Sequence, residues 1–76
     1  MSLEMVAEPV KASSEQLELM LSRRLGNRVR DLRVVLLPEG VVLQGRTSTY
    51  HVKQLAQHAA LELLDRPLVA NDIEVR

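Results

Sequence analysis

The chain has 76 residues, 10 basic and 10 acidic, so it is one small domain of zero formal net charge, without the long-range field of a dedicated nucleic-acid or membrane-surface binder. It has no cysteine, phenylalanine or tryptophan and a single tyrosine. That composition excludes disulfide scaffolds, thiolate metal sites, thiol chemistry and base-stacking platforms, and it leaves an aliphatic core of Leu, Val and Ala.

Residues 1–12 mix Glu, Lys, Ala and proline without a helical or strand period and read as a flexible lead-in, with MSLE before Met5 as a candidate cloning remnant. The N-terminus shows neither the cationic start nor the apolar run of a secretory signal, and no later stretch approaches transmembrane length. The expected location is therefore the cytoplasm, or the periplasm if a signal peptide has been removed. A single domain is expected over residues 13–76.

Ser13 and Gln16 have the spacing of a capping box and predict a helix start. Leu17, Met20, Leu21 and Leu25 then form one apolar stripe, Arg23 and Arg24 suit the negative pole of the helix dipole, and Gly26-Asn27 supplies the stop. From Val29 the period changes to two, with Leu32, Val34 and Leu36 on one face and Arg33, Val35 and Leu37 on the other. Pro38, Glu39 and Gly40 predict a tight reversal into a second strand in which Val41, Leu43 and Gly45 alternate with Val42, Gln44 and Arg46.

Ser48 or Thr47 is expected to cap a second helix, with Val52, Leu55, Ala56, Ala59 and Leu63 as its stripe. Asp65-Arg66-Pro67 breaks it, and a last strand follows from Leu68 to Val75, with Val69, Ile73 and Val75 inward and Ala70, Asp72 and Glu74 outward. The expected fold is α+β: a two-layer sandwich of order α-β-β-α-β, with two helices packed on one face of a three-stranded mixed sheet.

These residues resemble the BON domain family, named for bacterial osmotically induced periplasmic and nodulation-type proteins. The likeness runs from Ser13 to Val75. It rests on the Glu39-Gly40 turn, the Val-x-Leu-x-Gly run at Val41, Leu43 and Gly45, the hydroxyl-capped helix with Tyr50, Lys53 and Ala56, and the closing Val69, Asn71, Ile73 and Val75. Two features depart from the family pattern: the glycine spacing across the hairpin is one residue short, and Arg66-Pro67-Leu68 stands where the family commonly has Pro-Gly-Val. The resemblance implies a single-domain bacterial member with no active-site residues, a non-catalytic module contacting phospholipid or protein surfaces. The similar topology of ring-building modules in secretion machinery implies self-association as the alternative.

Arg23, Arg24, Arg28, Arg30 and Arg33 are dense enough to be a candidate patch for anionic lipid, since forked guanidinium donors match phosphate oxygens, although charge runs more often form a solvated face. His51 and His58 are two turns apart, too far for one metal ion, and no third ligand joins them. Tyr50 is expected to cover the core edge, and the serines and threonines to act as caps. No GxxG loop occurs, so RNA binding of the KH type is not expected. Val35, Leu37, Val42, Gln44 and Arg46 are expected on the sheet face turned away from the helices, which invites a protein partner or a second copy through that face or the sheet edge. No catalysis, cofactor or metal is expected.

Overall fold

The computed structural model describes residues 13–76; the expected lead-in lies outside them. Helix α1 covers Ser14–Leu25 and runs through a 3-10 turn, Gly26–Arg28, into strand β1 (Arg30–Leu37). Strand β2 (Gly40–Thr47), helix α2 (Tyr50–Leu63) and strand β3 (Leu68–Val75) complete the expected order. The sheet order is β1-β2-β3, with β1 antiparallel and β3 parallel to the central β2. Both helices bury their stripes in one core with Val34, Val41, Leu43 and Ile73, so they share one face of the sheet.

Local chemistry explains the boundaries. The Ser13 hydroxyl accepts from the Gln16 amide and the Gln16 side chain accepts from the Ser13 amide, which closes the capping box and satisfies two helix-end donors. Gly26 ends α1 with φ +66. The second helix is capped by Thr49, whose hydroxyl accepts from Val52 N–H at 3.2 Å, and not by Ser48 or Thr47 as the sequence suggests. Thr47 is unavailable because it is the buried last residue of β2 and donates its hydroxyl to the Arg28 carbonyl at 2.9 Å.

Burial refines the stripes. Leu17, Leu21 and Leu25 are buried at i, i+4 and i+8, while Met20 lies at the rim, 38% exposed. On α2 the buried residues are Ala56, Ala59 and Ala60, small enough to bring the helix against the sheet, with Val52, Leu55 and Leu63 around them. On β3 only Ile73 is fully covered. Val69 and Val75 are 46% and 42% exposed, because the strand's ends extend past the helices and its pairing shifts register between Val41 and Val42.

Two glycines set the sheet's close approaches. A Cβ on Gly40, where φ is +155, falls 2.2 Å from the Pro67 carbonyl oxygen, so the hairpin end and the entry to β3 meet backbone to backbone. A Cβ on Gly45 would stand 2.8 Å from Val29 Cγ1 and 3.0 Å from the Arg30 carbonyl oxygen, where β1 bulges between Arg30 and Arg33.

Candidate functional site

The bulge in β1 and the end of β2 build a partly enclosed cationic surface. Asp31 sits in the bulge with φ +54, a left-handed conformation that aspartate tolerates better than most residues. Its carboxylate accepts from the Arg46 guanidinium at 2.6 Å. The Thr47 hydroxyl ties the 3-10 turn to the end of β2, and Arg76 N–H donates to the Thr47 carbonyl at 2.9 Å, extending the β2–β3 pairing by one residue. These tethers bring Arg28, Arg30, Arg46 and Arg76 from four segments to a concavity of about 290 Å³, completed by Asn27, Thr47 and Ser48.

Among the described residues no acidic side chain lines this concavity. Two of its arginines are held from outside: Arg46 by Asp31, and Arg76, whose Nε lies 3.2 Å from Glu74. The Arg46 hydrogen bond and positive charge hold the Asp31 carboxyl below the usual carboxylate range, and the same hydrogen bond and charge from Asp31 push the Arg46 guanidinium up. Arg28 and Arg30 enter no ion pair among the described residues. The concavity thus presents two positioned and two unengaged guanidiniums beside hydroxyl and amide groups. That donor set suits a phosphate, sulfate or carboxylate.

The five arginines expected to cluster are dispersed. Arg23, Arg24 and Arg28 border an open depression at the end of α1. Arg24 reaches across to Glu62 on α2 at 2.7 Å, and its hydrogen bond and charge lower the Glu62 pKa. Arg28 turns also into the concavity, where Arg30 joins it, whereas Arg33 lies farther along the strand, beside Gln44, Asp72 and Glu74. The bulge lets Arg30 and Arg33, three residues apart, pair with Arg46 and Gln44 on one face of β2, so the separation is along the strand and not between faces. Arg76 was not foreseen. Only the parallel register that sets Thr47 beside Val75 shows that the next residue meets the end of β2.

The other expected positions are simpler. His51 and His58 are exposed, and no group of three His, Cys, Asp or Glu able to hold a metal occurs among the described residues. Tyr50 does not cover the core edge; it is 62% exposed, because it opens α2 on the side away from the sheet's buried row. Among the described residues no helix is long and apolar enough to cross a membrane.

The face turned from the helices is organised in rows by the strand register. Val35, Val42 and Ala70 are paired neighbours across the three strands, half-buried although no helix among the described residues covers them, and Leu37 adjoins them at the hairpin end. The next row is Arg33, Gln44 and Asp72, and beyond it Arg30, Arg46 and Glu74 are paired, with Asp31 bonded to Arg46. No family model matches the chain, and neither a curated protein nor a solved structure matches it.

Proposed function

We propose that this domain is a non-catalytic binding module that docks on anionic surfaces by taking a phosphate group, of a phospholipid head group in the first instance, into the concavity of Arg28, Arg30, Arg46 and Arg76. The observation that carries this reading is the convergence of four guanidiniums on a concavity of about 290 Å³ with no acidic lining among the described residues. That volume is at the lower limit of ordinary ligand pockets and suits a phosphate better than a large organic ligand. The resemblance to BON domains supports the same reading. With a net charge of zero, attraction acts only at short range, so binding depends on this local geometry and weakens with salt.

The test is flotation with vesicles of anionic and of zwitterionic lipid at two salt concentrations. Binding to the anionic vesicles alone, reduced by salt and abolished by Arg28→Ser with Arg30→Ser, is the expected result. Equal flotation of the double variant and the parent protein refutes the reading. Both arginines are exposed, and the variant leaves the Thr47 hydroxyl its backbone acceptor, so the fold is expected to persist.

A further inference from the structure

Both edges of the sheet are blunted, by different devices. On β1 the outward amide of Val34 donates to the Glu18 carboxylate of α1 at 3.0 Å. On β3 the amide of Ile73 points away from β2, as the opposite parity of the Arg76–Thr47 bond requires, and donates to the Asn71 side-chain oxygen at 3.2 Å. The other end of Asn71 donates to the Lys53 carbonyl of α2 at 2.9 Å. An added strand would have to displace a charged acceptor on one edge and a doubly bonded amide on the other, so extension of the sheet through its edges is disfavoured.

The open face carries no such guard, and its rows are self-complementary under one operation. Across the sheet, Arg33, Gln44 and Asp72 run from positive on β1 through neutral on β2 to negative on β3. A two-fold axis parallel to β2, lying between two copies stacked face to face, exchanges the outer strands and keeps every row at its level. It sets Arg33 over Asp72 of the second copy and Asp72 over its Arg33. The same axis sets Val42 on Val42 and Val35 on Ala70, so the uncovered apolar row meets its own kind. In the last row, Arg30, Arg46 and Glu74, it sets Arg30 over Glu74 of the second copy, while each Arg46 keeps the Asp31 carboxylate of its own copy. A two-fold axis perpendicular to the strands would place the apolar row on the charged one, leaving charge desolvated without partners.

We infer that a second copy of this chain occupies the open face, giving a symmetric dimer whose two-fold axis runs parallel to β2 through Val42 and Gln44. Three strands of eight residues present a face of about 14 by 26 Å, or about 370 Å² per copy. Even doubled, this falls well below the area of a standard stable interface, so the dimer is weak and reversible, with a dissociation constant on the order of 10⁻⁴ M. The dimer face and the anion concavity meet at Arg30, Arg46 and Arg76, whereas Arg33 and Asp72, the two positions exchanged below, lie outside the concavity.

Sedimentation equilibrium up to about 1 mM protein, a range set by that dissociation constant, is the first measurement. The expected result is a monomer–dimer equilibrium that Arg33→Asp weakens at least tenfold and that Arg33→Asp with Asp72→Arg restores, since the exchange re-forms both contacts with reversed sign. The chain has no native cysteine, so Gln44→Cys provides a second, independent readout with a short bis-maleimide. It should cross-link on the axis, while Gln57→Cys on the exposed side of α2 should not. A monomer throughout the range overturns the proposal, as does a dimer that cross-links no better at position 44 than at position 57. Loss of association in Arg33→Asp without recovery in the exchanged pair also counts against the axis, provided circular dichroism shows both variants folded.

Discussion

Gly40 and Gly26 permit the same substitution to be compared in two surroundings. Both have positive φ, +155 and +66, in regions that an alanine enters only at a conformational cost of about 2 kcal/mol. At Gly26 nothing lies within 4 Å of the added Cβ, so Gly26→Ala should cost little more than that. At Gly40 the Cβ would stand 2.2 Å from the Pro67 carbonyl oxygen and 3.1 Å from its carbonyl carbon, both backbone atoms that no rotamer change can move. The hairpin must therefore withdraw from the start of β3, straining or breaking the 2.9 Å bond from Val41 N–H to that same oxygen.

Overpacking of this kind costs about 1–3 kcal/mol, and the lost hydrogen bond about 1 kcal/mol. Gly40→Ala should then destabilise by about 4–6 kcal/mol in all. The stability of a domain of 76 residues, at 0.05–0.15 kcal/mol per residue, is about 4–11 kcal/mol, so the variant should be at the edge of unfolding. Urea titration followed by circular dichroism measures both variants against the parent protein. If Gly40→Ala is no less stable than Gly26→Ala, the backbone contact between the hairpin and β3 is not the constraint described.

Two further outcomes follow from single side chains. Asn71→Ala removes the donor to the Lys53 carbonyl and the acceptor of the Ile73 amide, and should cost about 1–3 kcal/mol by the same titration; an unchanged midpoint would show that neither bond stabilises the fold. Asp31 and Glu62 have lowered pKa values through Arg46 and Arg24, so their stabilising effect is present above the ordinary carboxylate range and is lost as pH falls through the depressed folded values. The urea midpoint should accordingly drop below about pH 4, less steeply in Asp31→Asn and less steeply at high salt, and parallel pH profiles for variant and parent would contradict this.

Much of the fold is legible in the residue pattern because it depends on local chemistry. The Ser13–Gln16 box, the switch of period at Val29, the Pro38-Glu39 reversal and the break at Pro67 each act over a few residues, and each lies where the sequence places it. The cap of α2 was misplaced by one or two positions for a non-local reason: Thr47 is drawn into the sheet by the Arg28 carbonyl, 19 residues away. Met20 failed as a core residue because a periodic stripe gives a direction around a helix but not the width of the surface that covers it.

The candidate site was legible only in part. Arginine density drew attention to the correct region of the chain, yet sequence proximity grouped Arg33 with residues that lie beyond the bulge, at the end of the strand. The composition of the chain, its alternation of period two and of helical period, and its caps determined the α-β-β-α-β sandwich and the uncovered strand face, since those are set by backbone geometry and by which side chains avoid water. Tertiary structure alone decided which charges meet: the parallel register of β3 on β2 brought Arg76 to Arg28 and aligned Arg33, Gln44 and Asp72 in one row. Register depends on contacts between segments far apart in the chain, and no local pattern encodes it.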